Sequence, residues 1–152
     1  MPHIHDKIDF AVEVFVVYNN KVLLRFHDKY KIWLSIGGHV ELDEDPTQAA
    51  VREVKEEVGL DITLWDGNKQ LSVDRTDFTE LIPPVSMNRH PINDTHTHIS
   101  MIYFATSATD VVVPEKETDT WQWLSREELD SMQDLREDIR FYARRALETF
   151  AN

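Results

Sequence analysis

The chain has 152 residues, no cysteine, and 16 Lys and Arg against 28 Asp and Glu, for a formal net charge of −12. The length suits one domain with its own core. The hydrophobic fraction of 41% excludes a chain that is disordered throughout. The lack of cysteine excludes disulfides and a thiol nucleophile. A surface this acidic disfavours binding to polymeric nucleic acid and to anionic membranes. It does not exclude binding of a small phosphorylated ligand, because a divalent cation can bridge phosphates and carboxylates.

The first predicted elements are two strands. Phe10–Tyr18 is rich in β-branched and aromatic residues, which is typical of a buried strand, and Lys21–Phe26 has a similar composition. Asn19 and Asn20 lie between them and tolerate positive φ, so we expect a hairpin. The next stretch, Trp33–Val40, contains the adjacent glycines Gly37 and Gly38, whose backbone can adopt conformations closed to other residues.

A helix is predicted directly after this stretch. Asp45 is a favourable N-cap and Pro46 suits the first helical position. The helix should run to about Val58, with Gly59 as its C-terminal cap.

The second half of the chain mixes strand and helix signals. Ser125 and Glu128 form a capping-box pattern before a short helix, and apolar residues at helical spacing predict a terminal helix over 135–150. Strands mixed with a few helices indicate an α/β or α+β domain. The other expected segments are short strands at Ile62–Leu64, Leu71–Val73, Val111–Val113 and Trp121–Leu124, a long loop over Arg75–Asp94 and a strong strand at His96–Ser107.

Three glutamates lie on one side of the first helix. With Glu53 set at zero, Glu56 falls near about −60° and Glu57 near about +40°, so the carboxylates share an arc of roughly 100° beside the apolar face. Their mutual repulsion is a penalty that a site for a hard cation such as Mg²⁺ accepts. A merely solvated helix face is the alternative for the helix taken alone.

The complete spacing of this segment resembles the signature of the Nudix hydrolases. The pattern is Gly, five residues, Glu, seven residues, then Arg-Glu-hydrophobic-x-Glu-Glu-x-Gly-hydrophobic, and a chance match in such a chain is on the order of one in ten million. Every fixed position matches: Gly38, Glu44, Arg52, Glu53, Val54, Glu56, Glu57, Gly59 and Leu60.

The resemblance implies a fold and a reaction. The fold is a single domain over residues 1–152, an α-β-α sandwich with a mixed sheet between helices. The reaction is magnesium-dependent hydrolysis, with manganese as an alternative ion, of a nucleoside diphosphate linked to another moiety, by water attack on phosphorus. The other interpretation is a catalytically silent nucleotide-binding or sensor module that keeps the fold. Such modules usually lose a carboxylate, and all three are present here.

The resemblance also assigns roles within the segment. Glu56 and Glu57 are the main expected metal ligands, and Glu53 is a ligand or the base that orients water. The carbonyl of Gly37 is expected as a further ligand, and Arg52 orients a glutamate. Members of the family often use one more glutamate outside the segment.

Residues outside the segment supply the remaining candidates. Glu117 is the expected additional glutamate, with Glu115 next, and a solvated loop charge is the alternative for both. Arg25 is a candidate for binding outer phosphates. The substrate-contact candidates are His39, His96 and His98, of which the last two face the same side of a strand. Two such histidines can bind zinc or contact phosphates, and the sequence offers no obvious third ligand.

Partners and location follow from the same observations. We expect a small nucleotide-type substrate, no polymeric nucleic acid and no membrane, and family members are often homodimers. The first residues lack a basic region followed by an apolar stretch, so no signal peptide is expected. A cytoplasmic location is therefore predicted.

Overall fold

A computed structural model describes residues 7–151, so Met1–Asp6 and Asn152 of the predicted domain lie outside the described residues. No helix in this part of the chain is both long and apolar enough to cross a membrane. The strands are Ile8–Tyr18 (β1), Lys21–His27 (β2), Ile32–Leu34 (β3), Ile36–His39 (β4), Ile62–Leu64 (β5), Asp74–Arg75 (β6), Phe78–Thr79 (β7), Ser86–Asn93 (β8), His96–Ser107 (β9) and Thr120–Leu124 (β10). The helices are Pro46–Val58 (α1), Arg126–Ser131 (α2) and Glu137–Thr149 (α3).

One mixed sheet organises the fold. Its strand order is β10-β2-β1-β9-β5, with β3 paired to β2, β4 paired to β1 and β8 paired to β9. The central strands β1 and β9 run parallel, whereas β2 and β4 are antiparallel to β1. The two short strands β6 and β7 form a separate pair. The predicted mixed sheet is confirmed.

Side chains alternate between the two faces of β1, and each face has its own core. Val12, Val14 and Val16 pack with the buried residues of α1, among them Val54. Phe15 faces the other side and packs with α3. Because successive residues of a strand point to opposite faces, a strand covered on both sides is apolar throughout. The expected sandwich of a sheet between helices is confirmed.

The ends of α1 are fixed by the residues that the sequence indicated. The Asp45 side chain accepts a hydrogen bond from the Gln48 backbone N–H at 2.9 Å, and the Gln48 side chain accepts one from the Asp45 N–H. Gly59 adopts a left-handed φ of 70° and ends the helix. This rigid helix begins a few residues after β4, so the loop between them is short.

Three segments differ from the sequence prediction. The predicted continuous loop over Arg75–Asp94 is wrong, because its second half, Ser86–Asn93, forms β8 and pairs with β9. Sequence analysis missed this edge strand because β8 contains Pro91 and few β-branched residues. Leu71–Val73 is not a strand, and the neighbouring pair β6 and β7 lies just after it. Val111–Val113 is also not a strand, because the Val113 N–H bonds the last turn of α1 instead of a strand partner.

Candidate active site

The three glutamates of α1 differ in exposure. The side chains of Glu53 and Glu57 are only 14% and 13% exposed, whereas that of Glu56 is 53% exposed. The two less exposed carboxylates are turned toward the sheet, and the third faces solvent. Ionisation of both would place two charges where water screens them poorly, which is costly unless cations compensate.

The Glu57 carboxylate is poorly exposed and has few compensating partners: Arg25 and a hydrogen bond from the Gly37 backbone. Its Oε1 lies 3.9 Å from Nη1 of Arg25, and its buried Oε2 accepts no hydrogen bond from the described part of the chain. Burial raises the pKa of Glu57 to about 8; Arg25 opposes this rise, and the nearby Glu53 adds to it. Such a carboxyl keeps its proton at neutral pH until a cation replaces it.

Arg52 connects the glutamates to the preceding loop. Its Nε donates to Glu44 Oε2 at 2.9 Å and its Nη2 to Glu44 Oε1 at 2.6 Å. Its Nη1 donates to Glu53 and to Glu56, each at 3.0 Å. Its Nη2 also donates to the His39 carbonyl oxygen at 3.0 Å. This planar fork joins two carboxylates of the helix to the loop, and an orienting role of Arg52 in the reaction stays a prediction.

The two glycines of β4 allow this strand to lie close to the β1 backbone and to the Glu53 side chain. A Cβ on Gly37 would lie 2.0 Å from the Val12 carbonyl oxygen, and a Cβ on Gly38 would lie 2.3 Å from Oε1 of Glu53. The first collision is with backbone and the second with the end of a side chain. Gly38 therefore leaves the space that the Glu53 carboxylate occupies.

This difference predicts unequal effects of alanine at the two positions. Gly37→Ala should lower the free energy of unfolding by about 3 kcal/mol, because the Val12 backbone cannot move away. Gly38→Ala should cost less, because the Glu53 side chain can rotate, but it should displace that carboxylate. Urea denaturation of both variants measures the difference. Equal destabilisation would show that the two contacts are equally rigid.

Arg25 contacts two residues that the sequence analysis did not select as site candidates, Asp119 and Trp121. Its Nη2 lies 3.5 Å from Asp119 Oδ1, and its guanidinium lies over the Trp121 ring at 5.7 Å. Asp119 has a side chain that is only 8% exposed. Sequence reasoning missed Asp119 and Trp121, since only the pairing of β10 with β2 brings Trp121 opposite Arg25. Arg25 thus links β10 to the Glu57 carboxylate.

The expected additional glutamate, Glu117, makes no described contact with the α1 carboxylates. Glu117 is exposed in the loop before β10, and its described contacts include none with Glu53, Glu56 or Glu57. The Glu115 N–H instead donates to the Glu57 carbonyl oxygen at 3.1 Å. A catalytic role for Glu117 stays a prediction, and Glu115 lies nearer to the helix.

A cavity of about 310 Å³ joins the β4 glycines to the predicted histidines. Arg25, His39 and His98 contribute to its lining, whereas His96 does not. His96 instead contacts the Asp9 carboxylate, a residue that the sequence did not single out. The remaining lining residues include Glu13, Asn88, Ser100 and Asp138. Arg25 and two of the three predicted substrate-contact histidines therefore line one cavity beside the glycines.

Comparisons with known proteins identify the family. The model of the NUDIX domain family matches residues 8–149. Among solved structures, a NUDIX-family hydrolase from Clostridium perfringens is 36% identical, with 93% of this chain and 97% of that chain covered and a TM-score of 0.83. A MutT protein from Methanosarcina mazei Go1 is 16% identical, covers 99% and 100%, and has a TM-score of 0.67.

A third solved structure supports the fold alone. An ADP-ribose pyrophosphatase from Streptococcus suis 89-1591 is 16% identical, with 95% of this chain and 92% of that chain covered and a TM-score of 0.60. A comparison with functionally curated proteins gives no match. Because the family model spans nearly the whole chain and the Clostridium perfringens hydrolase is similar over almost its full length, the chain belongs to the Nudix hydrolase family.

Proposed function

We propose that this chain is a Mg²⁺-dependent phosphoanhydride hydrolase that acts on a nucleoside diphosphate linked to another moiety. The observation that carries the proposal is the poorly screened carboxylate pair, Glu53 and Glu57, held at the β4 glycines by Arg52 and Arg25. Acidic groups are seldom placed in this way for stability, because each loses hydration. Family membership supports the same reaction class.

The residues fit a hard cation. The candidate donors are oxygens: the poorly exposed carboxylates of Glu53 and Glu57, the more exposed carboxylate of Glu56 and the Gly37 carbonyl. Mg²⁺ prefers such ligands. The buried Glu57 Oε2 has no partner in the described residues and is the clearest atom for coordination. When bound, Mg²⁺ or Mn²⁺ supplies charge neutralisation for phosphates and a lower pKa for water.

The chain's own residues have separable roles in this proposal. Glu53, oriented by Arg52, is the candidate base that holds the attacking water. Arg25 lies beside Glu57 and is among the residues that line the cavity, so it is the candidate for binding a phosphate oxygen of the substrate. The net charge of −12 supports a small substrate rather than polymeric nucleic acid, and the cysteine-free composition suits a reducing cytoplasm.

A substrate panel tests this function. The purified protein is incubated with Mg²⁺ and nucleoside triphosphates, oxidised nucleotides, ADP-ribose, sugar nucleotides, dinucleoside polyphosphates and NADH, with Glu57→Gln as the blank. Chromatography of the products should show cleavage of at least one compound by the wild type and none by the variant. The products also identify the bond that breaks.

Other outcomes of the panel count against the proposal. Cleavage at equal rates by both proteins would exclude the metal role of Glu57. Tight binding of a nucleotide without turnover, across the panel and with either metal, would instead favour a binding module.

A further inference from the structure

A second group of potential metal ligands lies on the sheet face opposite α1. The pairing of β1 with β9 places Asp9 opposite His98, and the pairing of β1 with β4 places His39 opposite Ala11. Asp9 and Ala11 are two residues apart, so both point to the face that α3 covers. The small Ala11 side chain lets the groups on either side approach each other. We call Asp9, His39 and His98 the Asp9 cluster.

The atoms of the Asp9 cluster have the separations of a coordination sphere. Nε2 of His39 lies 3.0 Å from Nε2 of His98, and Asp9 Oδ2 lies 3.6 Å from the first and 4.0 Å from the second. Ligand atoms about 2.0 to 2.1 Å from a tetrahedral zinc ion are about 3.3 Å apart. The observed separations bracket that value, so small shifts would complete the sphere.

His96 supports the cluster from outside. Its Nε2 is in contact with Asp9 Oδ2, so it holds the carboxylate beside the other two side chains. Partners of this kind orient the ligands of many metal sites. The side chains of Asp9, His39 and His98 are 38%, 58% and 19% exposed, so an ion can enter from solvent.

We propose that Asp9, His39 and His98 bind a divalent transition-metal ion of the zinc class. Two imidazoles and one carboxylate suit such an ion, whereas the all-oxygen set on α1 suits Mg²⁺. Three ligands leave a coordination position free. Because His39 and His98 also line the cavity, that position is available to an anionic oxygen of a ligand in the cavity. The proposal does not depend on the hydrolase activity.

Zinc titration of the intact protein tests the site directly. Calorimetry with ZnCl₂ in excess Mg²⁺ should show one zinc ion per chain, and imidazole ¹⁵N shifts of His39 and His98 should move together. His98→Ala and His39→Ala should each weaken zinc binding at least about tenfold. Circular dichroism and urea denaturation establish that both variants are folded.

Matched variants separate this site from other zinc ligands. Glu57→Gln removes a carboxylate of α1, and His27→Asn removes a histidine of the same cavity that lies outside the cluster. A double variant lacking His3 and His5 removes the remaining histidines near the start of the chain. All three should bind zinc like the wild type.

Several outcomes of these measurements would contradict the proposed zinc site. Zinc binding that persists unchanged in folded His98→Ala and His39→Ala, or that disappears in one of the control variants instead, would assign the ion to another site. The absence of zinc binding in excess Mg²⁺ would show that the two imidazoles only share a proton. None of these outcomes depends on finding a substrate.

Discussion

Glu57→Gln should reduce turnover by at least about 10³-fold while the protein stays folded. A bound metal ion contributes several kcal/mol of transition-state stabilisation, and each 1.36 kcal/mol corresponds to about tenfold in rate. Glutamine keeps the size of the side chain but is a much weaker ligand for Mg²⁺. The other described contacts of the carboxylate are Arg25, at 3.9 Å, and a hydrogen bond from the Gly37 backbone, which the uncharged amide oxygen of glutamine can still accept.

The same substitution should stabilise the metal-free protein at alkaline pH. Burial raises the pKa of Glu57 from 4.5 to about 8, so the folded state favours the protonated carboxyl. The stability linked to this group is fully present below pH 4.5 and is lost as pH rises through about 8. Glutamine has no such loss, so Glu57→Gln should be more stable than the wild type above pH 8 by a few kcal/mol.

Urea denaturation in EDTA at pH 5 and pH 8.5 measures this effect. The advantage of the variant should be largest at the higher pH and small at the lower one. Added Mg²⁺ should then stabilise the wild type and leave the variant unchanged, because only a ligand that prefers the folded state raises its stability. A variant that turns over normally, or that gains equal stability from Mg²⁺, would contradict the assignment of Glu57 as a metal ligand.

The sequence predicted the local part of this site and missed the long-range part. The spacing from Gly38 to Leu60 identified Arg52 and the glutamates, because one helix and its preceding loop fix their relative positions. Asp119 reaches Arg25 from the loop before β10, and no periodicity connects the two residues. Likewise, the expected loop over Arg75–Asp94 concealed β8, because an edge strand with a proline lacks the usual composition.

The Asp9 cluster illustrates the same limit. His96 and His98 were recognised as a pair on one strand, but a third ligand could not be chosen from the sequence. His39 is separated from His98 by 59 residues, and only the pairing of β1 with both β4 and β9 brings the side chains together. Residue patterns within one helix or strand can be predicted from the sequence. Contacts between strands can be predicted only when the strand order of the sheet is known.

Arg52→Lys should weaken both stability and activity, although the positive charge is kept. Lysine has three donors at one point and cannot reproduce the fork that contacts Glu44, Glu53 and the His39 carbonyl oxygen. The Glu44 side chain is only 11% exposed, so loss of its paired hydrogen bonds should cost about 1–3 kcal/mol. Turnover should fall about 10–100-fold because Glu53 loses its orientation.

Arg144→Lys is the matched control for this change. Arg144 donates from Nε to Asp130 at 2.7 Å, but both side chains are about 40% exposed. An exposed pair contributes little, so the control should change stability by less than about 1 kcal/mol and leave turnover unchanged. The comparison separates the loss of an arginine in general from the loss of the fork at α1.

The pH dependence of Arg52→Lys identifies the partner that matters. Hydrogen bonds from Arg52 hold the pKa of Glu44 below its usual value of 4.5, so the stability from this pair is present above that pH and is lost as pH falls through the lowered pKa. The difference between wild type and variant should therefore be largest at neutral pH and shrink in acid. A difference that is constant with pH would mean that Arg52 acts through packing, and normal turnover in the variant would mean that Glu53 needs no orienting partner.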